Sequence, residues 1–127
     1  MSLNGDLEAL QQVVDAALAS LEANRARIDD LNVYPVPDGD TGTNLTFTVR
    51  SVAEALEDSS AAGRESLARD IARGALMGAR GNSGVITSQI LRGLVEGFRT
   101  LDTVSAADLR VGLRRGSDAA YEAVMRP

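Results

Sequence analysis

The segment Pro35-Val36-Pro37-Asp38-Gly39-Asp40-Thr41-Gly42-Thr43-Asn44-Leu45 separates two stretches of helical periodicity and decides how this chain folds. Proline lacks a backbone N–H and cannot continue a helix, so residues 32–41 are predicted to form an extended loop. The glycines and hydroxyl side chains that follow are typical of a turn that opens a new helix. The segment therefore places two carboxylates, one residue apart, at the start of a helix.

Apolar residues recur at helical spacing on both sides of this loop and predict five helices. The first two run from about 7 to 31 and from about 43 to 56, and the third ends at a break over 78–81. The fourth begins near Asn82 or Ser83 and reaches residue 98, and the fifth runs towards residue 125. Asn4 or Asp6 is the candidate N-cap of the first helix, and Thr103 or Ser105 that of the fifth.

The composition favours closely packed helices over a sheet. Only four of the 127 residues are aromatic, so the core must be built from Ala, Leu, Val and Ile. Gly93 and Gly97 lie one turn apart in the fourth helix, which is tolerated best where a neighbouring backbone comes close. The predicted fold class is all-α, with one domain over 1–127.

The chain contains no cysteine, no histidine and no lysine. These absences exclude thiol nucleophiles, Ser-His-Asp triads, ordinary zinc sites and phosphate-binding loops of the GxxxxGK[ST] kind. The net charge of −5 comes from thirteen arginines scattered among eighteen acids, so a nucleic-acid partner is not expected. No apolar run reaches the ~18 residues of a membrane helix, and we expect a cytoplasmic protein without integral membrane contact.

Asp38 and Asp40 have two interpretations. Their side chains could cap the following helix, as Asp often does in turns. Alternatively they could share a divalent cation, which relieves the repulsion between neighbouring carboxylates and provides the hard oxygen ligands that Mg²⁺ prefers. An EF-hand loop is excluded by Gly42 and Val49, and a haloacid-dehalogenase-type DxDx[TV] motif by Gly42 and the preceding prolines.

A second chemical segment, Gly78-Ala79-Arg80-Gly81-Asn82-Ser83-Gly84-Val85, has a glycine at every third position between two helices. It matches neither GxGxxG nor GxSxG. It could be a helix-helix turn in which glycine permits tight packing. It could also be a phosphate cradle, in which backbone N–H groups and the Ser83 hydroxyl approach an anion. Arg80 could assist there, although a solvated or salt-bridged arginine is the commoner outcome.

Together, the run from Leu31 to Asn44 and the run from Gly78 to Gly84 resemble the nucleotide-binding domain of the dihydroxyacetone kinase family. The N-V-Y-P-V-P-D-G-D-T-G-T-N sequence is most similar to the N-terminal domain of the fatty acid kinase catalytic subunit. The resemblance implies an antiparallel up-and-down helical barrel of eight helices, of which about five are present here. It therefore also implies that the chain is part of a longer domain.

The same resemblance implies ATP and Mg²⁺ as cofactors. Asp38 and Asp40 would be the catalytic metal ligands, whereas the nucleotide and its phosphates would contact Thr41, Gly42, Thr43, Asn44, Asn82, Ser83 and Gly84. A third metal ligand of the glycerone-kinase branch corresponds to Val33, so that ligand is unassigned; Asn32 is its nearest substitute, and Asp29 and Asp30 lie further away. Gly116 is a weaker candidate at the border of the adenine pocket.

The implied activity is transfer of the γ-phosphoryl group of ATP to a fatty-acid carboxylate held by a separate carrier protein. A glycerone-kinase-type phosphotransferase subunit is one alternative. A non-catalytic helical interaction module, which keeps the loop only for folding and is a homo-oligomer, is another.

Overall fold

The computed structural model describes residues 3–32, 39–59, 64–98 and 105–125. These residues form five helices and no strand: α1 (Leu3–Asp30), α2 (Thr41–Asp58), α3 (Arg64–Gly78), α4 (Gly81–Phe98) and α5 (Ala106–Met125). The all-α prediction is confirmed, and each predicted helix is found within a few residues of its expected bounds. The predicted loop conformation of 33–38 and the candidate cap Thr103 lie outside the described residues.

The predicted helix starts are partly corrected. Helix α1 begins at Leu3, so Asn4 and Asp6 lie inside it and the N-cap prediction was wrong. An N-cap must lie half outside the helix, whereas helical hydrogen bonding here extends beyond the first apolar residue. Ser105 does cap α5: its hydroxyl accepts from the Asp108 N–H (3.1 Å), and its own N–H donates to the Asp108 carboxylate (3.0 Å).

Helices that follow each other in the chain pack side by side and antiparallel. In the α1–α2 pair, the Gln11 side chain donates to the Leu56 carbonyl (3.2 Å) at one end. Asp29 accepts from the Thr43 N–H (2.9 Å) at the other end. The C-terminus of α1 and the N-terminus of α2 therefore lie at the same end of the bundle.

The hydrophobic core lies towards the opposite end of α2. It is a cluster of buried side chains from α2 and α3: Val52, Leu56, Leu67, Ile71 and Ala75. Partly buried residues of α1 and α4 pack against this cluster: Leu7, Leu10, Val14, Leu91 and Val95. The C-terminus of α1 and the N-terminus of α2 therefore lie at the end of the bundle away from this core.

Glycines set the close approach of α4 and α5. A Cβ on Gly93 would lie 2.7 Å from backbone atoms of Arg115 and Gly116, so no side chain fits there without a shift. A Cβ on Gly97 would lie 3.5 Å from Gly112 Cα, which is ordinary van der Waals distance. The expectation that a backbone approaches this glycine pair is confirmed, most tightly at Gly93.

Among the described helices, none is both long and apolar enough to cross a bilayer.

The two glycines of α4 give a matched stability test. Gly93→Ala forces two backbones apart, and overpacking costs ~1–3 kcal/mol against a helix-propensity gain of ~1 kcal/mol. Gly97→Ala meets no such obstacle and retains the gain. We therefore expect urea denaturation to show a lower free energy of unfolding for Gly93→Ala and an unchanged or higher one for Gly97→Ala. Equal effects of the two substitutions would contradict the close contact at Gly93.

Candidate functional site

The carboxylate of Asp29, in the last turn of α1, binds the first turn of α2. One oxygen accepts from the Thr43 N–H (2.9 Å) and the other from the Thr43 hydroxyl (2.7 Å). These bonds, with a further one from the Gly42 N–H, hold the pKa of Asp29 below its usual value. A negative charge at a helix N-terminus is also favoured by the helix dipole.

Asn32, just beyond α1, supports the same turn. Its side-chain oxygen accepts from the Thr41 N–H (3.1 Å) and from the Thr41 hydroxyl. Gly42 is buried against α1, because a Cβ there would lie 2.5 Å from the Arg25 carbonyl oxygen. The end of α1 thus satisfies the first amides of α2, which explains why this helix begins at Thr41 instead of the predicted Thr43.

Asp40 occupies the N-cap position of α2 without capping it. Its carbonyl accepts from the Asn44 N–H (2.8 Å), but its side chain makes no capping hydrogen bond. The capping interpretation is therefore wrong for Asp40, because Asp29 and Asn32 already occupy the amides that it would bind. Its carboxylate remains uncommitted within the described part of the chain. Asp38, the other predicted metal ligand, lies outside the described residues.

The glycine-rich segment packs against α2, although the two are far apart in the sequence. Gly84 is buried, and a Cβ there would lie 2.6 Å from the Thr48 hydroxyl oxygen. Gly81 has a φ of +66°, and a Cβ there would lie 2.3 Å from the Asn44 side-chain nitrogen. The tight-packing interpretation is thus correct, and it brings the start of α4 beside the first turn of α2.

The N-terminus of α4 differs from that of α2 in its hydrogen bonding. Gly84 N–H donates to the Arg80 carbonyl (3.1 Å), which closes the first turn. Within the described ranges, the N–H groups of Asn82 and Ser83 have no acceptor, and neither side chain donates a hydrogen bond. Asn82 is exposed and Ser83 is half-buried. Of these two helix starts, that of α4 is therefore the one whose N–H donors are free to bind an anion.

The structure brings most of the predicted site residues together at one end of the bundle. Asp40 and Thr41–Asn44 belong to the first turn of α2, and Asn82–Gly84 belong to the adjacent first turn of α4. The hydroxyl hydrogens of Thr41 and Thr43 are directed to α1, so a phosphate contact from them stays a prediction. Gly116 contacts Ile90, about 13 Å along α4 from Gly81, and its adenine role likewise stays a prediction.

Carboxylate and amide oxygens at this end have the hard character that Mg²⁺ prefers. The described residues contain no cluster of three acidic, histidine or cysteine side chains that could hold a metal. Asp29 and Asn32 are two of the candidates for the third ligand. Their side-chain oxygens accept hydrogen bonds from the first turn of α2. The carboxylate of Asp40, which makes no capping hydrogen bond, is the group that suits a cation. Asp38 is the predicted second ligand.

Sequence reasoning missed two features of the site. It considered Asp29 and Asn32 only as metal ligands, because a carboxylate capping a helix fourteen residues later leaves no local capping pattern. It also gave no role to Phe47, whose ring centroid lies 4.6 Å from the guanidinium carbon of Arg80. A contact of this kind depends on the packing of α2 against the α3–α4 turn.

The comparisons with known proteins identify the family of this chain. The family model of the DAK2 domain matches residues 35–127, which include both helix starts and the segments before them. The chain belongs to the DAK2 domain family. This is the helical, nucleotide-binding domain family of the dihydroxyacetone kinases.

Relatives of this DAK2 domain occur in bacteria. It is 43% identical over 125 residues to an uncharacterized protein of Staphylococcus haemolyticus, covering 98% of this chain and 22% of that relative. It is 39% identical over 122 residues to protein YloV of Bacillus subtilis, covering 96% and 22% respectively. The chain thus spans about a fifth of the length of these curated relatives.

The Asp29 cap of the DAK2 domain predicts a specific pH dependence. A carboxyl with a lowered pKa stabilises the fold above its ordinary value of 3.8, and this stabilisation disappears as the pH falls through the lowered pKa. Asp29→Asn should therefore be less stable than the unmodified protein at pH 7, and the difference should shrink below pH 3.8. Chemical denaturation across this pH range measures it.

The matched control is Asp30→Asn, which removes the same charge from an exposed neighbour. It should follow the unmodified protein at every pH. A pH-independent deficit in Asp29→Asn would show that the charge of the cap is unimportant.

Proposed function

We propose that this chain is the Mg-ATP-binding domain of a phosphotransferase that transfers the γ-phosphoryl group of ATP. One observation carries the proposal: the first turns of α2 and α4 lie side by side, so an uncommitted carboxylate and an open set of helix N–H donors share one end of the bundle. A cation ligand beside an anion site is what a metal-nucleotide complex requires. Membership of a nucleotide-binding family supports the same conclusion.

In this proposal the two helix starts have different tasks. The N–H groups of Asn82 and Ser83, with the Ser83 hydroxyl, bind phosphate oxygens at the positive end of the α4 dipole. Asp40 and Asp38 hold Mg²⁺. The Asn44 side chain, which lies against Gly81, faces the junction between the two sites. Asp29 and Asn32 keep the start of α2 in place and prevent phosphate from occupying its amides.

When bound, Mg²⁺ neutralises phosphate charge and keeps the triphosphate in one orientation. The residues of the chain contribute positioning and electrostatic stabilisation, and without histidine, cysteine and lysine its remaining ionisable groups are mainly carboxylates and arginines.

The acceptor that fits these residues best is a carboxylate, as in the fatty acid kinases that the N-V-Y-P-V-P-D-G-D-T-G-T-N run resembles. A carboxylate oxygen forms a bond to the γ-phosphorus while the bond from that phosphorus to the bridging oxygen of ADP breaks. The products are an acyl phosphate and ADP. No proton has to be removed from an ionised acid, so no general base is needed. We propose a fatty acid held by a carrier protein in the cytoplasm as this acceptor.

A glycerone-kinase-type acceptor would be a hydroxyl group, whose proton needs a base. Among the described residues near the two helix starts, the available bases are carboxylates with other roles. This chemistry favours the acyl acceptor over the hydroxyl acceptor.

A second candidate function is a non-catalytic interaction module. It is favoured by the outward face of α5, where apolar side chains remain exposed: Leu113 is 50%, Val124 55% and Tyr121 71% accessible. Exposed apolar surface of this kind often marks an interaction site. This candidate predicts self-association or partner binding without any response to nucleotide.

The nucleotide response separates the two candidates. In the full-length protein, a thermal shift with ATP and Mg²⁺ that EDTA removes supports the phosphotransferase. No shift, together with self-association in sedimentation experiments, supports the interaction module.

The metal role is tested by substitution. Asp38→Ala and Asp40→Ala should each abolish Mg²⁺-dependent ATP binding in calorimetry, because a single remaining carboxylate is a weak ligand set. Circular dichroism should show unchanged helicity, since Asp40 does not cap α2. Glu54→Ala, which removes an exposed acid further along α2, is the control and should bind as the unmodified protein does. ATP affinity unchanged in both variants would refute the metal role.

The acceptor is tested with the full-length protein, ATP, Mg²⁺ and either a fatty-acid-loaded carrier protein or dihydroxyacetone. An acyl phosphate reacts with hydroxylamine to give a hydroxamate, and its appearance identifies the carboxylate acceptor. ADP release with dihydroxyacetone alone would identify the hydroxyl acceptor instead.

A further inference from the structure

Two guanidinium groups lie against one aromatic ring at the end of the bundle that contains the candidate site. The ring of Phe47, on α2, has its centroid 4.6 Å from the guanidinium carbon of Arg80 and 5.6 Å from that of Arg50. Both distances are within the range of cation–π interactions. The ring therefore gives both arginines a preferred position without supplying a negative charge.

The two arginines differ in how their charges are compensated. Arg50 donates to the carboxylate of Glu22 (2.8 Å), and this ion pair neutralises it. Arg80 pairs with no carboxylate among the described residues, and its side chain is exposed. Among the described residues, Arg80 is thus a positive charge that lies on an aromatic ring and has no acidic partner.

The position of Arg80 connects this charge to the open turn of α4. Arg80 immediately precedes Gly81, and its carbonyl accepts the Gly84 N–H that closes the first turn. The same residue therefore supplies a guanidinium and the backbone that directly precedes the turn with the free N–H groups of Asn82 and Ser83. A guanidinium binds phosphate oxygens through two parallel N–H bonds, which a point charge cannot do.

We propose that Arg80 is a polyphosphate ligand of the bound nucleotide and that Phe47 is the residue that positions it. The proposal rests on the proposed nucleotide-binding function and adds a protein cation to it. The guanidinium stays on the Phe47 ring in the free protein, so its conformational freedom is already restricted before the nucleotide arrives. The interaction with the ring leaves the charge available, whereas an ion pair would have neutralised it.

The experiment measures Mg-ATP and AMP affinities by calorimetry and competition in the full-length protein. A hydrogen bond to a charged group corresponds to about a 10- to 100-fold change in affinity. Arg80→Gln should weaken Mg-ATP binding by this factor and AMP binding much less. The melting temperature of the nucleotide-free protein should fall only slightly, because a cation–π contact at an exposed site contributes little to stability. Arg80→Lys should recover only part of the loss, since lysine keeps the charge but not the fork.

Arg50→Gln is the matched control, because it removes one positive charge from the same ring. It should bind Mg-ATP within about twofold of the unmodified protein, because Arg50 is already committed to Glu22. A loss equal to that of Arg80→Gln would mean that only net charge matters, and would overturn the proposal.

Two substitutions of the ring test the positioning role. Phe47→Tyr keeps the aromatic face and should bind as the unmodified protein does, whereas Phe47→Leu should lose affinity several-fold. The loss in Phe47→Leu should disappear in the Arg80→Gln background, because the ring then has no guanidinium to hold. Additive losses would overturn the positioning role.

The outcomes also separate this inference from the proposed function. If the unmodified protein does not bind Mg-ATP, the proposed function fails. If it binds and Arg80→Gln binds equally well, only the role of Arg80 fails.

Discussion

The hydrogen bonds from the start of α2 to the carboxylate of Asp29 are the constraint on which the rest of the site depends. They join the last turn of α1 to the first turn of α2 across a loop that contains two prolines. Asn32 adds a second connection through Thr41. Because these two side chains satisfy the first amides of α2, Asp40 is left without a capping role. A carboxylate that is not needed for folding is available for binding.

As a result, two similar helix starts differ in which of their N–H groups are already hydrogen-bonded. Both α2 and α4 begin at the same end of the bundle, and both have a positive dipole end there. The start of α2 is closed by a carboxylate and an amide of the chain itself. The start of α4 retains N–H donors, and its glycines allow the turn to pack closely on the Asn44 and Thr48 side chains of α2. Of these two helix starts, that of α4 is therefore the one that can bind an anion, and it lies beside the start of α2, where Asp40 is the N-cap residue.

One surface of the bundle leaves large apolar side chains exposed in the described part of the chain. Helix α5 uses its small residues, Gly112, Gly116 and Ala120, against α4, and its larger apolar side chains remain exposed. This chain spans about a fifth of its curated relatives, which are long enough to contain further helices. The exposed face and the site lie on different elements, so covering α5 need not alter the starts of α2 and α4.

The sequence by itself determined the elements of this protein and the identity of its chemical segments. Apolar periodicity located five helices, because each helix must bury one face and that face repeats along the chain. Proline and glycine located the breaks, and the missing residue types removed most catalytic mechanisms.

Only the tertiary structure decided which groups are occupied and which are free. The sequence could not show that Asp29 caps α2, that Asp40 does not, or that Arg80 rests on Phe47 without an acidic partner. The two contacts that form join residues 14 and 33 positions apart, and they depend on how the helices are oriented against each other. Hydrogen bonds and cation–π contacts are short-ranged and directional, so local patterns identify the groups, whereas packing selects their partners.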